Sequence, residues 1–160
     1  MRTLSIESNG RLENTAIYIN GEQIAGIREL YINIDEQGTF DSVISYIDGS
    51  GKLLSKQLFT DDIQSLQFKE AAFTEEDSLN LIQLTIESNG DLENTSVFIN
   101  DDYADGIVSL TLHCKLGESK PQSLFEKFLS KANPQNEESF FRSEIIFRNE
   151  DGSLTNQSIF

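Results

Sequence analysis

The chain has 160 residues, with 27 Asp and Glu against 12 Lys and Arg and a net charge of −15. That length suits one domain or two small lobes that share buried surface. Phosphate backbones and anionic lipid surfaces are bound through clustered Lys and Arg, so the charge argues against direct nucleic-acid or membrane binding. It leaves a basic protein partner as the sharper expectation and plain solubility as the blander one. Cys114 is the only cysteine, which excludes an internal disulfide and a Cys-rich metal site.

Leu4 and Ile6 alternate with Ser5 and Glu7, the period-2 pattern of a strand with one buried face. Asn9-Gly10 marks a turn, because both residues tolerate positive φ, and a return strand follows from Asn14-Thr15 with Ile17 and Ile19 opposite Tyr18. A second turn at Asn20-Gly21 leads to a third strand from Ile27, carrying Leu30, Ile32 and Ile34 on one face. Connections this short predict an antiparallel meander of the three. A hairpin follows: Ile44 and Tyr46 on one strand, a turn at Asp48-Gly49-Ser50-Gly51, and a return over Leu53 to Phe59. Thr60-Asp61-Asp62 reads as a tight turn. Ser65 to Lys69 reads as a short strand with Leu66 and Phe68 inward, and residues 71–79 as a linker.

The pattern then repeats. Residues 84–115 align with residues 4–35 without a gap at an offset of eighty, and fifteen of the thirty-two positions are identical. The chain is an internal duplication. Its closing hairpin also recurs, with Ile44, Tyr46, Leu53 and Phe59 matched by Ile145, Phe147, Leu154 and Phe160 at an offset of 101. The second copy has therefore gained twenty-one residues between its third and fourth strands. In that insertion, 116–138, Leu124, Phe125, Phe128 and Leu129 share one stripe at helical spacing. Pro121 and Pro134 bracket it, which predicts a helix over 121–132 with both phenylalanines buried on a sheet face.

The fold class expected is mainly β (α+β by strict count): two tandem duplicated antiparallel lobes, each a three-stranded meander plus a hairpin, with one inserted helix. Residues 1–70 and 80–160 form the two repeats, expected to share a core about a pseudo-two-fold axis, in a monomer or a homodimer. The N-terminus has no apolar signal core and no apolar run is long enough to span a membrane, so a cytoplasmic location is expected.

Chemistry is harder to read. The repeated ESNG-x-LENT segment brings Glu7, Glu13, Glu87 and Glu93 forward as candidates, but its Asn, Gly and Thr residues also fit turn geometry. Asp101, Asp102 and Asp105 form the densest acidic loop. It lacks the spacing of a calcium-binding loop, so a solvated turn is the better reading, and no metal or cofactor is expected. Glu75, Glu76 and Asp77 form the other acidic run. His113 is the sole histidine and stands on the face opposite Cys114, with no nucleophile placed near it by any motif.

The sequence therefore predicts a non-enzymatic module that binds a basic protein surface, of the immunity, anti-defence or nucleic-acid-mimic kind. The candidate contacts are the ten acidic residues just named. A structural or assembly protein of a phage or surface complex is the first alternative, and a carboxylate-based hydrolase the second.

Overall fold

The computed structural model describes residues 1–63, 65–116 and 139–160. Two antiparallel sheets pack around one core. The first copy contributes β1 (Arg2–Ser8), β2 (Ala16–Ile19), β3 (Glu22–Ala25), β4 (Ile27–Asp35), β5 (Phe40–Ile47), β6 (Leu53–Gln57) and β7 (Gln67–Phe68). A single helical turn, α1 (Glu75–Ser78), stands in the expected linker. The second copy contributes β8 (Ile82–Ser88), β9 (Ser96–Ile99), β10 (Asp102–Tyr103), β11 (Ile107–Lys115), β12 (Phe140–Arg148) and β13 (Leu154–Gln157). The strand orders are β10-β9-β8-β1-β2-β3-β7 and β13-β12-β11-β4-β5-β6.

Each copy has its three-stranded meander (β1–β3, β8–β10) in the first sheet and its hairpin (β5–β6, β12–β13) in the second. The strand that starts at Ile27 joins the hairpin rather than closing the meander, and β3 takes its expected place. Gly26 makes the corner: its φ of +78 lets the chain leave one sheet and enter the other. Gly106, with φ +72, makes the same corner in the second copy.

The duplication becomes a symmetry in the pairing register. Ser5 lies opposite Thr85 in the β1–β8 pair, and Ile32 lies opposite Leu112 in the β4–β11 pair. Both pairs join residues eighty apart, so a residue faces its own counterpart in each sheet. A pseudo-dyad therefore runs through both sheets at these two points. Leu4, Ile6, Leu84 and Ile86 from the first sheet and Leu30, Ile32, Leu110 and Leu112 from the second all point into one shared core. That follows from the strict period-2 alternation of these strands, which gives each one buried face.

The symmetry extends to the edges. Ile34 opposite Phe40 is repeated as Cys114 opposite Phe141, and the register shift at Ile27/Glu29 recurs at Ile107/Ser109. The insertion therefore leaves the strand pairing around it unchanged. The helix expected over 121–132 lies outside the described residues. One inward residue was misassigned: Phe68 is 54% exposed, because Gln67 takes the inward side of the two-residue β7. There the Gln67 Nε2 donates to the carbonyls of Ile47 and Asp48 at 3.0 and 2.8 Å.

The Asp48 turn carries a pH prediction. Its Oδ1 accepts from the Ser50 hydroxyl and from the Ser50 and Lys52 backbone N–H groups at 2.6, 2.9 and 3.0 Å. The Ser50 hydroxyl bond, then the Lys52 N–H, hold the carboxyl below its ordinary 3.8. A lowered folded value means that this stabilisation is full above 3.8 and lost as pH falls through the folded pKa. Asp48→Ala should thus melt below the parent at pH 7, with the gap narrowing as pH falls below 3.8 and through the folded pKa. A gap that stays constant would mean the ionised carboxylate contributes nothing.

Candidate functional site

The repeated ESNG-x-LENT segments are turns stitched by their own side chains. The Ser8 and Thr15 hydroxyls bond at 2.7 Å, Gly10 N–H donates to Ser8 Oγ at 3.0 Å, and Thr15 Oγ1 donates to the Arg11 carbonyl at 2.6 Å. Ser88, Gly90, Thr95 and Asp91 repeat the set at 2.7, 3.0 and 2.7 Å. The identity between copies is dense here because one hydrogen-bond pattern is being kept twice.

Beside each turn lies a cleft, and the pseudo-dyad exchanges the two. One is lined by Leu12, Thr15, Ile17, Gly26 and Ile27, and the other by their counterparts Leu92, Thr95, Val97, Gly106 and Ile107. Strand β4 begins in the first cleft and ends in the second. Its nine residues put the clefts about 26 Å apart at roughly 3.3 Å per residue.

Their rims differ in charge. Arg11, Arg28 and Lys69 line the first cleft together with Glu13, whereas Asp35, Glu36 and Asp105 line the second. Among the described residues, the two related clefts are therefore lined by unequal charge. The second cleft encloses about 430 Å³ over an apolar floor of Leu92, Val97, Ala104 and Ile107. Tyr103 stands at its mouth, 62% exposed and edge-on to Phe98 at 5.8 Å. Asp35 is held ionised to lower pH by hydrogen bonds from Thr39 first and then from the backbone of Gln37 and Gly38. Glu36 pairs with Arg148 at 2.6 Å.

The structure separates the ten acidic candidates. Asp105 lines the second cleft, Asp101 and Asp102 lie on the turn and strand that lead to it, and Glu93 follows its lining residue Leu92. Glu13 lines the other cleft. Glu7 and Glu87 stand on β1 and β8, and Glu7 accepts from Ser78 Oγ at 3.0 Å, which brings α1 and its Glu75 and Glu76 beside it. Asp77 is engaged in capping that turn, through reciprocal bonds with Thr74. Asp35, Glu36 and Tyr103 were missed from sequence. Asp35 and Glu36 come from the first copy and close a cleft built mostly by the second, a juxtaposition with no local mark.

His113 heads a separate outward cluster on the second sheet. Its Nε2 lies 2.7 Å from Glu29 Oε1, and its ring meets Tyr31 and Phe140 edge-on at 5.1 and 4.7 Å. Arg142 covers Phe140 at 5.5 Å. Cys114 faces the core, where burial pushes its thiol up to about 11, outside the range of a reactive thiolate. Among the described residues, no three His, Cys, Asp or Glu converge as a metal-holding group, and no helix is long and apolar enough to cross a membrane. No protein-family model, curated protein or solved structure matches the chain.

Proposed function

We propose that the protein is a non-enzymatic binding module whose acidic end takes a basic surface of another protein. The observation that carries this reading is the second cleft, where an apolar floor meets Asp35 and Asp105 beside the exposed Tyr103. Interfaces concentrate their energy in a few aromatic anchors over apolar pockets, while charge around the rim speeds encounter and selects partners. A partner side chain of moderate size fills the cleft, and Lys or Arg residues flanking it meet the two aspartates. Both copies supply this rim, which gives the duplication a role beyond stability.

Capture from native cell extract tests the reading. Parent protein should retain basic proteins that elute as salt rises, since the Debye length shrinks from about 30 Å at 0.01 M to about 3 Å at 1 M. A triple reversal of Asp101, Asp102 and Asp105 to Lys should lose them while melting near the parent temperature. If both proteins retain the same set, the acidic end is not the binding surface.

A further inference from the structure

We propose that the partner of the acidic end binds as an added strand on β10, with an arginine or lysine set opposite Asp105. This rests on the binding reading above and names the form that the partner's segment takes.

The pseudo-dyad supplies the pattern. It relates β9 and β10 to β2 and β3, yet the first sheet runs one strand further at one end only. There β7 pairs with β3, whereas among the described residues no strand pairs with the outer side of β10. At the β3 end, Phe68 lies opposite Ile24 and Gln67 opposite Ala25, and the Lys69 N–H donates to the Gln23 carbonyl at 3.1 Å. The counterparts of Gln23, Ile24 and Ala25 are Tyr103, Ala104 and Asp105. The Ala104 N–H donates inward to the Val97 carbonyl at 2.9 Å. By alternation, the N–H and C=O groups of Tyr103 and Asp105 face outward.

Exposure records the difference between the two edges. Gln23 is 3% exposed and its Oε1 accepts from the Ala72 N–H at 2.7 Å, whereas Tyr103 is 62% exposed. Ala25 and Gly26 are half-buried where Asp105 and Gly106 are exposed. Leu116 and Ser139, which flank residues 117–138, line the first cleft, at the far end of β4 from this edge. Outward-facing backbone groups on an edge accept an extended segment through main-chain bonds, while its side chains supply selectivity.

The side chain at the Gln67 position sets that selectivity. Gln67 donates to the carbonyls of Ile47 and Asp48, whose counterparts are Arg148 and Asn149. The Arg148 carbonyl stands at the Gly106 corner as that of Ile47 does at Gly26, and the Arg148 guanidinium is held by Glu36. Directly opposite the incoming residue, Asp105 replaces Ala25. Two carbonyl oxygens and a carboxylate favour a cation with several N–H donors over a neutral amide.

Two peptides titrated into the nitrogen-15-labelled full chain test the strand: a copy of residues 65–73, SLQFKEAAF, and the same peptide with Gln67→Arg. Both should shift the amide signals of Tyr103 to Gly106, and the arginine peptide should bind up to about fivefold more tightly, as an opposite-charge cross-strand pair allows. In the protein, Asp105→Ala should erase that preference. Methylating the peptide nitrogen at the Lys69 position should abolish binding, whereas at Phe68, whose N–H faces away from the edge, it should not. Repeating residues 60–73 after Phe160, the counterpart of Phe59, fills the edge from within the chain. That extended chain should show the same amide shifts and no longer retain the captured basic proteins. Unshifted Tyr103 to Gly106 signals in both the titration and the extended chain would overturn the proposal, as would an arginine preference that survives Asp105→Ala. Retention by the extended chain of proteins that reversing the 101–105 loop loses would also overturn it, and would leave the binding reading standing.

Discussion

Leu112→Ala should cost about 2–5 kcal/mol, the range for truncating a buried leucine, and lower the melting temperature by roughly 4–20 °C for a chain of this size. Leu112 is 0% exposed and lies on the pseudo-dyad, directly opposite Ile32, which is also 0% exposed. Both are flanked on the core face by Leu30, Ile34, Leu110 and Cys114, which leaves little freedom to collapse into a void. Ile32→Ala should cost a similar amount, and the double variant less than the sum, because neighbours across a strand pair share the same cavity. Thermal unfolding of the three variants decides it. Additive losses would mean that the two copies stabilise separate cores.

The second large effect belongs to the corner glycines. Alanine at position 26 would adopt left-handed backbone at φ +78, at about 1–2 kcal/mol. Its Cβ would also stand 2.8 Å from the Ile47 carbonyl oxygen. That oxygen cannot move away freely, because the Ile47 N–H donates to the Gly26 carbonyl at 2.8 Å. Gly106→Ala has the same backbone problem, with φ +72, but a looser contact of 3.1 Å to the Arg148 carbonyl. Both variants should unfold in less urea than the parent, Gly26→Ala in the least. Equal midpoints for the two would show that conformation alone sets the cost.

Much of this architecture was legible in the sequence because it is written locally. Alternation along residues 4–8 and 27–35 marked the strands, and Asn-Gly pairs marked the turns of the first copy, with Asn20 at φ 51 and its counterpart Asn100, which precedes Asp101, at the same value. Strand β3 was missed because Gln23 and Ile24 are both buried, which breaks the period-2 signal over its four residues. The corner at Gly26 was missed with it, since one glycine between two apolar residues does not say which sheet the next strand will join. Pairing of β1 with β8, across eighty residues, leaves no trace in either strand. The acidic loop 101–105 was visible as a run of like charge. Its companions Asp35 and Glu36 were not, because only the three-dimensional register brings the end of β4 beside β10.

The central strand pairs also set a timetable for folding. The strand pairs across the dyad join residues 74 to 86 apart in sequence, from Ser8 with Ile82 to Arg2 with Ser88, so contact order is high and the fold closes late. At about 5–20 residues per second of synthesis, the second copy follows the first by roughly 4–16 s. Through that interval β1 and β4 have no partner from the second copy, leaving two open strand edges of seven and nine residues. Bare edges of that length are templates for pairing with other chains. Any nascent first copy nearby supplies a matching edge, because Leu4, Ile6 and Ile32 recur as Leu84, Ile86 and Leu112. Crowded synthesis would then yield exchanged dimers, with one chain's first half paired to another's, and a slower rate of initiation would raise the yield of correctly closed monomer.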